Sequence, residues 1–232
     1  MVRVNRFHKE AALQTSGDTA GSGNDLVHRL ARERRSTYSV KHIFDAALAV
    51  LAIFLLIPFL LLVALAIRLD SEGPVIFKQT RTGLRGRPFQ IYKFRTMSVL
   101  ENGPVVQQVT TGDKRVTRIG RWLRRTSIDE LPQLLNVIRG EMSLVGPRPH
   151  AQAHDQYYAQ RIRQYSGRFA VRPGITGWAQ VNGSRGETPT LADMQHRIDL
   201  DLWYVKNWSH ALDLKILVQT LVIEIARRGC GR

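Results

Sequence analysis

Two adjacent carboxylates, Asp129 and Glu130, are the residues whose setting most clearly suggests chemistry. They lie in residues 126–149, which read TSIDELPQLLNVIRGEMSLVGPRP. A short apolar helical pattern follows them, and a turn rich in Gly and Pro then places Arg148 between two prolines. Two acids where a helix begins, with basic residues upstream and an arginine downstream, indicate chemistry on a phosphate ester.

The position of Pro132 bears on where that helix starts. Ser127 and Glu130 match a capping box, in which they would only close a helix end. A helix capped by Ser127 would place Pro132 where its missing amide is needed. A start at Asp129 places Pro132 in the first turn, where no donor is lost. The sequence therefore predicts Asp129 at a helix N-terminus, where the dipole favours its anion.

An ionised carboxylate is the form that a nucleophile toward phosphorus needs. Glu130 beside it could supply an oxygen to Mg²⁺, which neutralises the charge that develops in phosphoryl transfer. Taken alone, an Asp–Glu pair more often caps or solvates a helix end, so both interpretations stay open at this point.

The charge of the chain requires an anionic partner. The 232 residues carry 34 Lys and Arg against 19 Asp and Glu, a net charge of +15. Twelve of the cations and two of the acids lie between residues 78 and 125, directly before the acid pair. Nucleic acid, anionic lipid and a phosphorylated substrate all fit this charge. The one cysteine, Cys230, excludes an intrachain disulfide and fits a reducing compartment.

Residues 46–67 form an uncharged run, AALAVLAIFLLIPFLLLVALAI. As a helix the run would measure roughly 33 Å, enough for a hydrocarbon core of about 30 Å. Pro58 in its middle removes a backbone hydrogen bond and kinks a helix. Basic residues flank both ends, and the positive-inside rule draws both ends to the cytoplasm. The residues leave two arrangements open, a helix that crosses the membrane and one that bends at Pro58 and returns.

Several shorter patterns surround these two features. The β-prone runs 74–79 and 89–94 flank TRTGLRGRP, which predicts a hairpin with a basic tip. Lys93 and Arg95 follow one face of the second strand, where they either hold a phosphate or meet solvent.

Near the C-terminus, Trp203, Tyr204 and Trp208 precede an apolar helical run, an arrangement typical of a membrane interface. His150 and His154 have a spacing that can bind metal, but without a third ligand we expect a solvated helix face.

Four motifs together resemble one protein family. They are KFRTM (93–97), RRTSIDELPQLLNVIRGEMSLVGPRP (124–149), RPGITGWAQVNG (172–183) and DLWYVKNWS (201–209). Their order and wording resemble the bacterial sugar transferases, the monotopic phosphoglycosyl transferases that start cell-surface polysaccharide synthesis. The resemblance runs from about residue 41 to residue 225.

The resemblance implies a fold and a location. The expected fold is α+β and mostly helical, a monotopic membrane protein with a Pro-broken re-entrant N-terminal helix, a small β-hairpin and amphipathic interfacial helices. The expected domains are a disordered basic arm (1–37), the re-entrant helix (38–69, broken at Pro58) and a catalytic domain (70–232). That domain would lie on the cytoplasmic face of the bacterial inner membrane, in a chain of the small, core-only type.

The resemblance also implies a reaction. Hexose-1-phosphate would pass from a UDP-sugar, glucose first and galactose next, to undecaprenyl phosphate with release of UMP. This would be the first membrane step of exopolysaccharide or capsule synthesis. Asp129 would attack the β-phosphate to form a covalent phosphosugar intermediate, and Glu130 would help to hold Mg²⁺. Anionic membrane lipid is a further expected partner, nucleic acid is not, and a homo-oligomer is left open.

Two sets of further site residues are expected. The substrate phosphates would be bound by Lys93, Arg95, Arg125 and Arg148. The guanidinium of Arg148 suits this role because its position between two prolines makes it a rigid bidentate group. A nucleotide or sugar pocket is expected at Arg172, Gln180, Asn182 and Asp201.

Two other functions remain as alternatives. A membrane-tethered nucleic-acid-binding protein would explain the charge, but the chain has no helix-turn-helix, zinc-finger or RNP-like pattern. In a non-catalytic scaffold of a polysaccharide assembly complex, the acids would only cap a helix.

Overall fold

The computed structural model describes residues 35–98 and 113–229, so most of the predicted basic arm and Cys230 lie outside the described residues. The described part is α+β and mostly helical, as predicted. Its helices are α1 (Arg35–Asp70), α2 (Arg118–Thr126), α3 (Leu134–Ile138), α4 (Gln152–Ala159), α5 (Trp178–Val181), α6 (Leu191–Asn207) and α7 (His210–Gly229). Its strands are β1 (Ile76–Thr82), β2 (Pro88–Phe94), β3 (Ser143–Val145) and β4 (Gly174–Thr176). Short 3₁₀ turns occupy Leu84–Gly86, Ile128–Gln133 and Tyr165–Ala170.

The apolar run forms α1, which contains Pro58 and has nearly the predicted bounds. Within the described ranges, α1 is the one helix long and apolar enough to cross a membrane. One side of α1 is exposed: the exposed fraction is 70% for Phe54 and 66% for Leu61. A soluble core would bury such side chains, so this side requires an apolar surrounding. The predicted break at Pro58 stays a prediction.

The other side of α1 packs on the rest of the protein over most of its length. Before Pro58, Ala49 lies in a cluster with Leu134 and Val137 around α3. After Pro58, Val63 packs in a second cluster with Leu123 of α2. The elements on either side of the acid pair therefore lie on the two halves of the apolar helix.

The first end of α1 is held by a buried charge cluster. Lys41 Nζ lies 2.5 Å from Asp213 Oδ2, and Asp213 also accepts hydrogen bonds from the Tyr204 hydroxyl (2.7 Å) and the Trp208 indole (2.9 Å). Buried charges require such partners. The membrane-interface position predicted for these aromatics is therefore wrong, because Tyr204 and Trp208 are buried donors to Asp213, and Trp203 stacks on Trp178.

The predicted hairpin is confirmed. Strands β1 and β2 pair antiparallel from Ile76↔Phe94 to Thr82↔Pro88. Arg85 and Gly86 have positive φ angles at the basic tip, as a tight reversal requires. Because Phe77 pairs with Lys93, the side chains of Gln79 and Arg81 share a face with Lys93.

Helix α7 is amphipathic with its apolar side outward. Asp213 and Ile216 are buried on its inner side. Its outer side carries exposed large apolar residues at helical spacing, namely Leu214, Val218, Leu221, Val222 and Ile225. A stripe of this kind is suited to the lipid interface.

Helix α2 crosses the chain after β2 at a very short distance, because Gly120 lies there. A Cβ on Gly120 would lie 2.1 Å from the carbonyl oxygen of Thr96. The crossing fixes the path of α2, whose end leads directly into the acid pair.

Replacing Gly120 by Ala should therefore force α2 away from Thr96. We expect the Gly120→Ala variant to lose about 2 kcal/mol or more of unfolding free energy, the cost of overpacking. Its Tm in detergent would then fall by about 5 °C or more. The control is Gly186→Ala, whose Cβ would meet no atom within 4 Å. Equal Tm values for the two variants would contradict the close crossing.

Candidate active site

The acid pair lies in a 3₁₀ turn rather than in an α-helix. Ser127 adopts the left-handed conformation (φ 57°, ψ 15°), ends α2 and redirects the chain into the turn at Ile128. The α-helix predicted to start at Asp129 forms only from Leu134. Pro132 explains the difference, since it cannot donate to a continuous α-helix whereas a 3₁₀ segment can end beside it. Ser127 gives no capping hydrogen bond, which argues against the capping box.

Asp129 is a buried carboxylate to which the described residues donate no hydrogen bond. It is 9% exposed. Burial raises the pKa of Asp129 to about 6, although the nearby charges of Lys93, Arg124 and Arg148 act in the opposite direction. The shift is opposite to the one expected from a helix N-terminus, because the loss of water outweighs the backbone contribution at this position.

Glu130 has the opposite electrostatic setting. Arg148 binds it with both terminal nitrogens, Nη1 to Oε2 at 2.9 Å and Nη2 to Oε1, and Lys93 Nζ lies 2.9 Å from Oε1. Burial alone would raise the pKa of Glu130, but the charges of Arg148 and Lys93 hold it well below its usual range. The adjacent acids therefore differ, since its cationic partners hold the pKa of Glu130 low whereas burial raises the pKa of Asp129 to about 6.

Two further arginines, Arg124 and Arg81, lie near this site, and neither was predicted from the sequence as a site residue. Arg124, rather than Arg125, is close enough to interact with Asp129, and its Nε donates to Thr96 Oγ1 at 2.8 Å. Arg81 donates to Gln79 Oε1 at 2.5 Å and to the carbonyl of Pro149 at 3.4 Å. Burial and the charge of Arg148 lower the pKa of Arg81 to about 10. The strand alternation of the hairpin was the signal that could have identified Arg81, because it shares a face with Lys93.

Arg148 owes its position to the parallel pair β3 and β4. The register Ser143↔Gly174 and Val145↔Thr176 brings RPGITG beneath the GPRP turn. A Cβ on Gly174 would lie 2.1 Å from the amide nitrogen of Gly146, so the two backbones touch there. The RPGITG motif thus supports the turn that carries Arg148.

A buried polar network also contacts the GPRP turn. Arg168 Nη2 donates to the carbonyl of Arg148 at 2.5 Å and lies 2.9 Å from Asp201 Oδ2. His150, expected on a solvated face, is instead buried and lies 2.8 Å from the hydroxyl of Tyr165. Burial lowers the pKa of His150 and raises that of Asp201. This network supports the turn and does not reach the acid pair directly.

A family model described as "Bacterial sugar transferase" matches residues 36–227. The chain belongs to the bacterial sugar transferase family. The resemblance found in the sequence motifs is thereby confirmed.

Three relatives illustrate the similarity. A UDP-glucose:undecaprenyl-phosphate glucose-1-phosphate transferase of Caulobacter vibrioides is 58% identical over 78% of this chain and 68% of its own length. One of the same name from Escherichia coli is 53% identical over 78% of this chain, and only 39% of its own length is matched. An "exopolysaccharide production protein PSS" of Rhizobium leguminosarum is 48% identical over 81% of this chain and 96% of its own length.

In this chain, the predicted phosphate-binding set is brought together only in part. Lys93 and Arg148 meet at Glu130. Arg95 is turned away and buried, and it donates to the carbonyls of Ile67 (3.4 Å) and Ser71 (2.5 Å) at the end of α1. The prediction that Arg95 shares a site with Lys93 is wrong, because the strand ends at Phe94 and its alternation does not reach residue 95.

The four residues predicted as a nucleotide or sugar pocket have separate contacts. Arg172 Nε donates to the carbonyl of Gly140 at 2.8 Å, and Gln180 Nε2 donates to that of Ile175 at 3.2 Å. Asn182 is exposed and donates to the carbonyl of Trp178, while Asp201 pairs with Arg168. These are separate contacts within the fold, and the pocket at these four residues stays a prediction. Arg125 is likewise exposed on α2.

The donor set is compatible with Mg²⁺. Within the described residues, no group of three His, Cys, Asp or Glu side chains could hold a metal. Mg²⁺, however, usually takes one or two carboxylates and completes its shell with water and substrate phosphates. Glu130 accepts three hydrogen bonds of the roughly four that a carboxylate can accept, and Asp129 accepts none from the described residues.

The raised pKa of Asp129 predicts a stability cost. A carboxyl whose folded pKa lies above its unfolded value of 3.8 costs stability as pH rises from about 4 through 6. Above pH 6 the cost should reach about 3 kcal/mol. We therefore expect Asp129→Asn to be more stable than the wild type at pH 7.5, with an advantage that shrinks as the pH falls toward 4.

Unfolding in detergent across this pH range, monitored by intrinsic fluorescence, measures the difference. Asp199→Asn on the exposed face of α6 is the matched control and should show no such gain. An Asp129→Asn variant no more stable than the wild type at pH 7.5 would show that the ionised carboxylate carries no burial cost.

Proposed function

We propose that the protein transfers hexose-1-phosphate from a UDP-sugar to undecaprenyl phosphate in two steps. In the first, a carboxylate oxygen of Asp129 attacks the β-phosphorus. The bond from that phosphorus to the bridging oxygen breaks, and UMP leaves with the electron pair. In the second, a phosphate oxygen of the lipid attacks the same phosphorus and the bond to Asp129 breaks, which frees the carboxylate and forms a lipid diphosphosugar.

The observation that carries this proposal is the setting of Asp129. It is the acid of the pair to which the described residues donate no hydrogen bond, and it lies among the positive charges of Lys93, Arg124 and Arg148, with Arg81 adjoining Arg148. These four cations could attract the negative charge of a diphosphate. A carboxylate free of hydrogen bonds is a better nucleophile than one that is already engaged.

Glu130 serves this site in two ways under the proposal. Its anion keeps Arg148 and Lys93 in place before the substrate arrives, so that they meet the phosphates with their geometry already set. Its remaining acceptor position, together with the substrate phosphates, would hold Mg²⁺. When bound, Mg²⁺ would neutralise charge on the phosphates.

The substrates are proposed from the relatives. The names of the Caulobacter and Escherichia proteins support UDP-glucose and undecaprenyl phosphate, and that of the Rhizobium protein supports a place in exopolysaccharide production. Glucose is therefore the first sugar to test and galactose the next.

The packing of α1 supports a re-entrant, monotopic arrangement. Lys41 near its start pairs with Asp213, and Asp70 at its end accepts a hydrogen bond from the amide of Ile119 at 3.2 Å. A straight helix would separate these points by roughly 44 Å. One polar domain that contacts both ends could not lie in water if the helix crossed the bilayer. Both ends are therefore proposed to lie on the cytoplasmic face of the inner membrane, where their basic flanks meet anionic lipid.

The reaction is tested by UMP release. Purified protein with Mg²⁺, undecaprenyl phosphate and a panel of UDP-sugars should release UMP, fastest with UDP-glucose. Asp129→Asn should lower the rate by at least about 10³-fold, the loss expected for removal of a nucleophile. Asp199→Asn should retain the wild-type rate. Absence of UMP release with every UDP-sugar would favour a non-catalytic scaffold. A wild-type rate in the Asp129→Asn variant would exclude Asp129 as the nucleophile.

The topology is tested with single cysteines on either side of α1. Val40→Cys and Glu72→Cys, each in a Cys230→Ser background, replace exposed residues. Both should react with a membrane-impermeant maleimide in inverted vesicles, and neither should react in intact cells. Labelling of the two positions from opposite sides would mean that α1 crosses the membrane.

A further inference from the structure

The loop between α5 and α6, residues 182–190, contacts both the C-terminal helix and the turn before the acid pair. Its Arg185 has a forked set of contacts. Nη1 pairs with Glu224 Oε1 of α7, and Nη2 donates to Ser127 Oγ at 2.8 Å. Arg185 thus joins two elements that are 97 positions apart in the chain.

Ser127, which this contact holds, has an unusual backbone conformation. Among the described residues it is one of two non-glycine residues with positive φ, and the other, Arg85, lies at the hairpin tip. The left-handed region is unfavourable for a residue with a Cβ and persists where surrounding contacts fix it. Ser127 makes no capping hydrogen bond to the following turn, so its hydroxyl is engaged by Arg185 instead.

The loop that carries Arg185 is itself fixed from a second side. Arg197 of α6 donates to the carbonyl of Gly186 at 2.5 Å and to Ser184 Oγ at 3.4 Å. Arg185 therefore lies between two residues, Ser184 and Gly186, that both accept a hydrogen bond from Arg197. Its ion pair with Glu224 is only about one-fifth exposed on each side chain, so water screens it weakly.

We infer that Arg185 is a positioning residue, which links Glu224 of α7 to Ser127 and thereby fixes the turn that presents Asp129. Asp129 follows Ser127 by two residues, so a change in the Ser127 backbone moves the nucleophile directly. The outer side of α7 beside Glu224 is apolar, with Leu221 and Ile225 exposed. The helix proposed to rest on lipid is thus connected to the acid pair through one side chain.

The kinetic consequence rests on the proposed function. A displacement of about 1 Å at a reacting group can lower a rate by about 100-fold. The cations that would bind the substrate, Lys93 and Arg148, are held by Glu130 and not by Arg185. Loss of Arg185 should therefore lower kcat and leave KM nearly unchanged.

Arg185→Met is the first test. We expect kcat to fall by about 10- to 100-fold, the range for loss of hydrogen bonds made by a charged group. Arg185→Lys should recover only part of the rate, since an ammonium cannot span both partners in the same planar geometry. The control is Arg161→Met, which removes an exposed guanidinium bound to Tyr157 and should leave kcat unchanged.

Ser127 provides the matching variants. Ser127→Ala should resemble Arg185→Met, and the double variant should be no slower than either one, because both act through one contact. Ser127→Gly should be milder, since glycine adopts the left-handed conformation freely. Additive losses in the double variant would mean that Arg185 acts elsewhere.

An activity-independent measurement separates this inference from the proposed function. Amide hydrogen exchange over residues 127–133 should be faster in Arg185→Met and in Glu224→Gln than in the wild type, and unchanged in Arg161→Met. If the wild type releases no UMP, the proposed function fails, and the hydrogen-exchange result alone tests the positioning role of Arg185. Wild-type exchange in Arg185→Met, or an unchanged kcat in an active protein, overturns the positioning role.

Discussion

The site depends on the carboxylate of Glu130, held between Arg148 and Lys93. Each partner comes from a different part of the chain: Lys93 from the hairpin, Arg148 from the GPRP turn and Glu130 from the 3₁₀ turn. A buried carboxylate with two cationic partners is stable only while all three are in place. This ionic contact therefore fixes the relative positions of the segments that would bind the substrate.

The same contact explains why neighbouring acids differ. Both carboxylates are buried, but the hydrogen bonds of Arg148 and Lys93 go to Glu130, so the loss of water dominates at Asp129. Environments that separate the pKa values of adjacent acids are a general means of giving them different tasks. The cost of the buried Asp129 anion is the kind of instability that functional sites retain.

Much of this site could be predicted from sequence. The acid pair, Arg148 and Lys93 were identified from residue type and order, and the hairpin from its turn chemistry. The α-helical start at Asp129 was wrong because Pro132 and the reversal at Ser127 leave only a 3₁₀ turn there. The expected stabilisation of the Asp129 anion was wrong because burial outweighs the backbone contribution. Arg95 was misplaced because strand alternation was extended beyond the end of the strand.

Other features depended on contacts that no local pattern records. Tyr204 and Trp208 have interface-like composition, yet Asp213 and Lys41 draw them into the core. The RPGITG motif suggested a pocket, but close backbone approach at Gly174 makes it a support for the GPRP turn. Arg185 could not be found from sequence, since both of its partners are distant in the chain.

The role of Asp129 as the nucleophile is tested most directly by the mass of the acid-pair peptide after reaction with UDP-glucose and Mg²⁺ in the absence of lipid acceptor. Trypsin would release residues 126–139 as one peptide that contains Asp129. We predict a phosphohexose adduct on Asp129 that disappears when undecaprenyl phosphate is added. An adduct on another residue, or full turnover with no adduct under rapid quenching, would contradict it.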